Sequence, residues 1–207
     1  MITQTLKLPS PPAIDQALSL LHQGEVIALP TDTVYGVAAL ALNGEAVARL
    51  YHIKDRPLNK PIPVFVPSID ALSQVCQDVP PGSIPWLRDY WPGGVTVILP
   101  ASPALPGIVT NNGPTVAVRI PDHPLVLALL ARLRQPLAVT SANLSGGPNP
   151  QTAAGVLAQL EGRIPLILDD GPTPGPLPST IVDLTQTPPK VLRQGAVQVD
   201  FSSPHTT

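Results

Sequence analysis

Cysteine is almost absent from this chain, which has one, Cys76, among its 207 residues. A single thiol excludes an intrachain disulfide framework and any zinc site built from several cysteines. Cys76 lies on a short helical pattern that follows Ser68. We therefore expect a half-buried, unreactive thiol at this position.

Charged and aromatic side chains are also scarce. Charged residues make up 13% of the chain and aromatic residues 3%, and the net charge is −2, whereas about a quarter of an average protein is charged. This composition argues against a basic stripe or a stacking platform for nucleic acid. Because charge is rare, a cluster of cations carries more information here than in an average chain.

Long hydrophobic runs are missing as well. No stretch approaches 18 continuous apolar residues, and the first residues, MITQTLKLPS, lack the apolar core of a signal peptide. Hydrophobic residues still account for 43% of the chain, enough for a sizeable core. We expect one cytoplasmic domain over residues 1–207 with no membrane segment, a motif-bearing core at about 11–197 and a polar tail from Ser202.

What is present is an alternation of short helices and strands, separated by many of the 29 prolines. Caps and apolar periodicity predict helices after Ser10, Asn43, Ser68 and Asp122, and over 84–91 and 152–160. Short apolar runs predict strands over 26–29, 62–66, 95–99, 115–120, 137–140, 165–168, 180–184 and 191–193. The pattern indicates an α/β fold with an open, mixed sheet flanked by helices.

Small polar residues or single cations lie at the ends of several predicted strands: PTDT after the first, Arg119 in TVAVR, TSANLSGG after LAV, PST before IVDL, and Arg193 in VLRQG. In open α/β sheets, ligands bind at loops beyond strand ends. Backbone amides in Gly/Ser turns bind anions, and arginine gives bidentate contacts. Each signal is weak alone, since PTDT is also ordinary turn composition and Arg119 could pair with Asp122. Together they predict a pocket for phosphate and carboxylate groups.

A cluster of cations lies in one short segment around Pro57. It contains Lys54, Arg56 and Lys60, which are three of the twelve Lys and Arg residues of the chain. Such a concentration in a sparsely charged chain indicates an anionic ligand nearby.

The successive segments PTDTVYG, K-x-R at Lys54 and Arg56, WPGGVTVIL, VAVRIPDHP, TSANLSG, STIVDL and VLRQGA resemble the motifs of the YrdC-domain family. They occur in order between Gly24 and Ala196. The resemblance implies a twisted open sheet with a large concave groove. It also implies a nucleotidyltransferase that converts L-threonine, bicarbonate and ATP into threonylcarbamoyl-AMP and pyrophosphate. A partner transferase would then use the adenylate to modify the adenosine next to the tRNA anticodon.

The resemblance also implies roles for individual residues. It gives Lys54 and Arg56 a catalytic role at the ATP phosphates. The ATP site as a whole comprises Lys54, Arg56, Lys60, Thr115, Ser141, Asn143, Asn149 and Arg193. The threonine site comprises Thr33, Tyr35, Arg119, Val139 and Ser179, with Arg119 on the threonine carboxylate and Tyr35 either in the pocket or in the core.

The chemistry fits these residue types. The carbamate formed from threonine and bicarbonate is already anionic, so its attack on the α-phosphorus requires no serine or cysteine nucleophile. The protein must align two anions and neutralise charge on the leaving pyrophosphate. Mg²⁺ is expected with ATP, but no dense carboxylate cluster predicts a protein-built metal site, and Mg²⁺ held through phosphates needs few protein ligands.

Three positions depart from the commonest pattern. Asp55 replaces glycine within K-x-R, and we expect its side chain to point away from the phosphates. Phe65 stands where some members have a threonine-contacting histidine, and Pro178 stands where glutamate is common.

Three rival functions remain open at this point. The first is a module that binds tRNA or double-stranded RNA directly, which the low charge and aromatic content disfavour. The second is a carbamoyl-adenylate enzyme of metal-centre maturation, whose cysteine-rich zinc modules are excluded by a single cysteine. The third is a regulatory relative that binds nucleotide without turnover, and the same residues would serve it.

Overall fold

The computed structural model describes residues 2–175 and 177–201, so the polar tail predicted from Ser202 lies outside the described residues. The helices are α1 (Pro11–His22), α2 (Gly44–Ile53), α3 (Ser83–Tyr90), α4 (Gly107–Thr110), α5 (Pro124–Leu133) and α6 (Ala153–Leu160). The strands are β1 (Gln4–Lys7), β2 (Ile27–Leu29), β3 (Gly36–Leu40), β4 (Val64–Phe65), β5 (Val95–Pro100), β6 (Thr115–Arg119), β7 (Leu137–Ser141), β8 (Leu166–Asp169), β9 (Thr180–Asp183) and β10 (Lys190–Arg193). All helices in this part of the chain are shorter than a bilayer crossing requires.

The starts of the helices follow from local chemistry. The Asn43 side chain accepts hydrogen bonds from the amides of Glu45 and Ala46 at the start of α2. Thr152 caps α6 in the same way, through the amide of Gly155. Ser10 precedes α1 but its side chain makes no capping hydrogen bond, and α1 begins instead with proline in its first turn.

The prediction of a helix after Ser68 that carries Cys76 is wrong. The segment forms only a 3₁₀ turn, Asp70–Gln74, and Cys76 lies beyond it, in an isolated β-bridge with Ala101. The thiol is buried rather than half-buried, and burial raises its pKa to about 12. A thiol with so high a pKa is almost entirely protonated near neutral pH and therefore unreactive.

The described strands form one mixed sheet in the order β1-β8-β2-β3-β7-β4-β6-β5-β9-β10. The pairs β1/β8, β2/β8, β4/β6 and β5/β9 are parallel, and the others are antiparallel. The α/β prediction with an open mixed sheet is confirmed. Strands β1 and β3 and the short α4 were not predicted; β3 has the alanine-rich sequence GVAAL, fully buried, which shows no polar alternation.

The two faces of the sheet are covered differently. One face packs against α2, α3, α4 and α6 and forms the larger hydrophobic core. The other packs against α1 and α5, which contact each other and cover mainly β2, β3 and β8. Over β7, β4, β6, β5 and β9, part of this second face is left open, and a cavity lies there.

Candidate functional site

The cavity on the open face has a volume of about 440 Å³. Its lining combines three arginines, several hydroxyl side chains and apolar strand residues, and no Asp or Glu side chain of the described chain lines it. Its lining residues are Thr31, Thr33, Val34, Gly36, Arg56, Pro61, Pro63, Phe65, Thr96, Ile98, Ala117, Arg119, Val139, Thr140, Ser141, Asn149, Pro178, Ser179, Ile181, Leu192 and Arg193. A cavity of this composition suits a ligand with several negative charges.

Strand register gives the cavity two ends. Phe65 on β4 pairs with Arg119 on β6, and these two residues lie at one end of the open face. Thr115 begins the same strand β6. It is on the same face as Arg119 but four residues away, which corresponds to about 13 Å along a strand. The open face of the sheet therefore has an Arg119 end and a Thr115 end, and the cavity extends from the Arg119 end towards the Thr115 end as far as Ala117 on β6.

Arg119 is the most strongly fixed cation of the cavity and is only 3% exposed. Its Nε donates to the carbonyl of Gly93 at 2.8 Å and its Nη1 donates to the Thr33 hydroxyl at 3.1 Å. Its Nη2 forms an ion pair with Asp32 at 2.6 Å. Burial lowers the pKa of Arg119, and the Asp32 carboxylate opposes that shift. The guanidinium is thus held in one orientation before any ligand arrives.

The partner of Arg119 differs from the one considered from sequence. Asp122 does not pair with it; Asp32, in PTDT, does. Sequence reasoning missed Asp32 because an Asp within a turn motif is usually explained by the turn itself. The available signal was its position between Thr31 and Thr33, at a loop that follows a buried strand.

Four hydroxyl side chains also meet at the Arg119 end. Thr31 and Thr33 are joined through their hydroxyl oxygens at 3.0 Å, and Thr31 donates to the Val34 carbonyl. Thr96 on β5 and Ser179 before β9 are joined in the same way at 2.7 Å. Thr31 and Thr96 were not predicted as site residues; Thr33 and Ser179, predicted at the threonine site, both line the cavity.

The other two arginines of the cavity are held by backbone carbonyls. Arg56 donates to the carbonyls of Lys60 and Pro61, at 3.2 and 2.9 Å. Arg193 donates to the Ser179 carbonyl through both Nε and Nη2. Burial lowers the pKa of both groups, and the positive charge of Arg119 lowers that of Arg193 further. Neither has a carboxylate partner in the described part of the chain, so both retain charge to offer to a ligand.

Other predicted residues are divided between the wall and its margin. Val139, Ser141 and Asn149 line the cavity. Thr115 and Lys60 are not among the lining residues; Thr115 lies beyond Ala117 on the same face of β6, and Lys60 is exposed.

Two residues predicted at the ATP site lie behind its wall. Lys54 is 1% exposed, and its ammonium group donates to the carbonyls of Ser141 and Asn143 and to the Asn143 side chain. The Asn143 amide donates to the carbonyls of Leu144 and Gly147, both at 2.8 Å. The structure thus differs from the expectation that Lys54 faces the phosphates and that Asn143 contacts the nucleotide, because the polar groups of both residues are used within the loop.

Tyr35, predicted at the threonine site, is also not in the lining. It is fully buried, and its hydroxyl donates to the Gly171 carbonyl at 2.7 Å. Burial raises its pKa to about 12. Of the two alternatives considered for Tyr35, the structure places it in the core.

The three departures from the common motif pattern are resolved by geometry. The Asp55 carboxylate pairs with Arg163 at 2.9 Å on the exposed side, which confirms that it points away from the cavity. Phe65 and Pro178 both line the cavity and give it apolar surface.

The described residues contain no group of three or more His, Cys, Asp or Glu side chains arranged to hold a metal ion. Together with the absence of carboxylates from the described lining, this arrangement does not fit a metal site built by protein ligands.

The fold and the cavity are those of a domain that binds small anionic molecules. A mixed α/β sheet carries on its open face a pocket lined by three arginines and, among the described residues, by no carboxylate. Comparison with known proteins then identifies the family. The Sua5/YciO/YrdC family model, described as "Telomere recombination", matches residues 19–195. The chain belongs to this family.

Individual relatives agree with that assignment. Over 187 residues the chain is 43% identical to the threonylcarbamoyl-AMP synthase of Bacillus subtilis, covering 90% of this chain and 54% of the relative. It is 36% identical to the threonylcarbamoyl-AMP synthase of Vibrio parahaemolyticus, covering 87% of this chain and 98% of the relative. The structure of Pyrococcus abyssi Sua5 in complex with L-threonine superimposes with a TM-score of 0.90 at 35% identity, covering 94% of this chain and 58% of that one. The chain thus spans about half the length of the first curated relatives it matches.

Proposed function

We propose that this chain catalyses the formation of L-threonylcarbamoyl-AMP and pyrophosphate from L-threonine, bicarbonate and ATP. The observation that carries the proposal is the two-ended cavity with three arginines and no carboxylate among its described lining residues. Relatives that bear the name threonylcarbamoyl-AMP synthase, and one solved with L-threonine, support it.

The Arg119 end suits the amino acid. A guanidinium fixed by Gly93, Asp32 and Thr33 offers its outer face to the threonine carboxylate without further ordering. The hydroxyl groups of Thr33 and Ser179 lie close by and can exchange hydrogen bonds with the amine or hydroxyl of threonine. Val139 and Phe65 supply apolar surface for its methyl group.

The opposite end suits the nucleotide. Arg56, Ser141 and Asn149 lie on the wall and are proposed to contact the phosphates and ribose. Lys60 and Thr115 lie at the margin of this end, where a nucleotide longer than the cavity would extend to meet them. Arg193 is anchored at Ser179, and we propose that it faces the phosphates from the opposite side of the cavity.

The reaction needs alignment and charge neutralisation more than covalent catalysis. The amine of threonine attacks bicarbonate, giving a carbamate and water. A carbamate oxygen then attacks the α-phosphorus, the bond to the bridging oxygen breaks, and pyrophosphate leaves with its electron pair. Arg56 and Arg193 stabilise the negative charge that builds on the phosphoryl oxygens and on pyrophosphate.

Mg²⁺ is proposed to accompany ATP through the phosphate oxygens. The described lining provides no carboxylate for it, so the side chains of the cavity do not fit a resident metal site. The charge on the phosphates is met by the arginines in every step described above.

We further propose that the product passes to a tRNA threonylcarbamoyltransferase, because a mixed anhydride of a carbamate and a phosphate is a reactive donor. The enzyme would act in the cytoplasm, where tRNA is modified. Direct RNA binding is the alternative, and the net charge of −2 does not favour it.

The test is a pyrophosphate-release assay with purified protein and no RNA. We expect release from ATP only when both L-threonine and bicarbonate are supplied, with much less release when L-serine replaces threonine. Equal release with serine would contradict the proposed substrate. Absence of release together with salt-sensitive tRNA binding would support the RNA-binding alternative.

A variant of Arg56 tests the proposed site. Arg56→Ala should lower kcat by about 10²- to 10³-fold, since a positioned donor to developing charge contributes about 3–4 kcal/mol. Arg132→Ala is the matched control, because Arg132 is an exposed arginine that pairs with the exposed Asp15. Unchanged turnover in Arg56→Ala would remove Arg56 from the site, and a similar loss in Arg132→Ala would show an effect on folding.

A further inference from the structure

Lys54 is a buried cation in unusual surroundings. It follows the last residue of α2, is 1% exposed, and none of the ion pairs in the described chain includes it. Its ammonium group instead donates to three neutral oxygens, those of the Ser141 and Asn143 carbonyls and the Asn143 side chain. The three N–H donors of the ammonium group therefore match three acceptors, and all three acceptors belong to one loop.

A backbone hydrogen bond also joins this loop to Lys54, and the loop forms part of the cavity wall. The Ser145 amide donates to the Lys54 carbonyl at 2.9 Å, while the Asn143 side chain closes the loop on Leu144 and Gly147. Ser141 begins this loop and Asn149 ends it, and both line the nucleotide end. The position of these two side chains therefore depends on contacts that Lys54 makes behind the wall.

The charge on Lys54 is poorly compensated. Burial and, to a smaller extent, the positive charge of Arg56 together lower its pKa to about 7. Asp55 pairs with Arg163 on the exposed side and His52 is exposed on α2. Residues 141–147, SANLSGG, contain no ionisable side chain. In this part of the chain only neutral oxygens accept hydrogen bonds from Lys54, so no opposite charge helps to hold the proton on it.

We propose that Lys54 is a positioning residue that sets the nucleotide-binding loop from behind, and that binding of ATP is accompanied by uptake of a proton at Lys54. The inference rests on the proposed nucleotide end. In free protein near neutral pH, a fraction of Lys54 is neutral and has two hydrogens for three acceptors, so the loop is held less firmly. The phosphates of ATP bring negative charge to the other side of the loop, which favours the ammonium form. Only the charged form makes all three hydrogen bonds, so loop order and nucleotide binding are linked.

The primary test is titration calorimetry of wild-type protein with ATP at about pH 8, in two buffers of different ionisation enthalpy. We expect uptake of roughly half a proton or more per ATP bound, since most Lys54 is neutral in the free protein at this pH. Lys54→Met should remove this uptake and weaken ATP binding by about tenfold or more, while the affinity for L-threonine changes less than about twofold. Lys7→Met, at an exposed lysine of β1, should bind ATP with the same uptake as wild type.

The pH profile provides a readout that a merely structural role would not move. The ammonium form is the competent one, so kcat/KM for ATP should fall as pH rises through the pKa of Lys54 in free protein, about 7. Lys54→Arg keeps its charge over this range and should show a flat profile there. The wild-type calorimetry requires no variant, so it decides the question even if Lys54→Met fails to fold.

The outcomes separate this inference from the proposed function. ATP binding with Lys54-dependent proton uptake supports both. ATP binding and pyrophosphate release without uptake, or with uptake that persists in Lys54→Met, overturns the inference and leaves the proposed function standing. No binding of ATP overturns both.

Discussion

The ion pair between Arg119 and Asp32 shows how a single acidic residue can prepare a site for an anion. The side chains are 4% and 15% exposed, so each charge depends on the other. Asp32, Gly93 and Thr33 use one N–H on each of the three guanidinium nitrogens, which leaves two of the five N–H donors for a ligand. A free buried arginine would be costly, and one paired on all sides could bind no substrate.

A double-mutant cycle at this pair should reveal strong coupling. Asp32→Asn and Arg119→Met should each lower the free energy of unfolding by about 3 kcal/mol, because each leaves an uncompensated buried charge. The double variant should be considerably less destabilised than the sum, and urea unfolding measures all three values.

The same variants are also expected to differ in their KM for threonine. Arg119→Met should raise the KM for threonine by at least about tenfold, in the single and double variants alike, because the carboxylate loses its partner. Additive stability losses would show that the two side chains do not depend on each other. An unchanged KM for threonine would place the amino acid elsewhere.

At the scale of elements, α2 and the loop after β7 support the end of the cavity that we propose binds the nucleotide. Helix α2 packs on β3 and α4, and its C-terminal end leads directly into Lys54 and Arg56. Its start is fixed by Asn43, which accepts from two helix amides. Because α2 is anchored by packing along its length, its cap should contribute to stability more than to activity.

The cap of α2 can be tested with an internal control. Asn43→Ala should reduce the free energy of unfolding by about 1 kcal/mol, which lowers Tm by about 2–4 °C in a chain of this size. Ser10→Ala is the matched control, because Ser10 precedes α1 without making a capping hydrogen bond; it should change Tm by less than about 1 °C. Pyrophosphate release per folded molecule should stay within about twofold in both. Equal losses of Tm in the two variants would contradict the difference in capping.

At the scale of the whole molecule, the cavity joins segments that are far apart in the chain. Its wall runs from Thr31 to Arg193 and uses residues of β3, β4, β5, β6, β7, β9 and β10 with the loops around them. These segments meet only when the sheet is complete. A ligand that contacts both ends of the cavity therefore binds only the folded state of the chain. Such a ligand stabilises the folded state against unfolding.

This linkage predicts ligand-dependent thermal stability. L-threonine together with a non-hydrolysable ATP analogue, each at about a hundred times its Kd, should raise Tm by about 10–20 °C. L-serine in place of threonine should give a smaller rise, since it lacks the methyl group that would contact Val139 and Phe65. Thermal-shift measurements would contradict the two-ended cavity if either ligand gave no shift, or if serine matched threonine.

The sequence by itself determined much of the local structure and the class of chemistry. Asn43 predicted the start of α2, and apolar runs bounded by proline or polar residues predicted β2, β5, β6, β7 and β9 close to their observed bounds. The cluster of cations around Arg56 in a chain with few charges, together with arginines at strand ends, indicated an anionic ligand. These signals are readable because caps, strand periodicity and turns depend on residues adjacent in the chain.

Only the tertiary structure decided which residues line the cavity and which lie behind it. Lys54 and Tyr35 stand in the same motifs as Arg56 and Thr33, yet both are buried with their polar groups used by the backbone. Asp32 gained its role from Arg119, which is far away in sequence and close in space. The physical reason is that burial and pairing are set by the packing of distant segments, whereas sequence motifs record only neighbours along the chain.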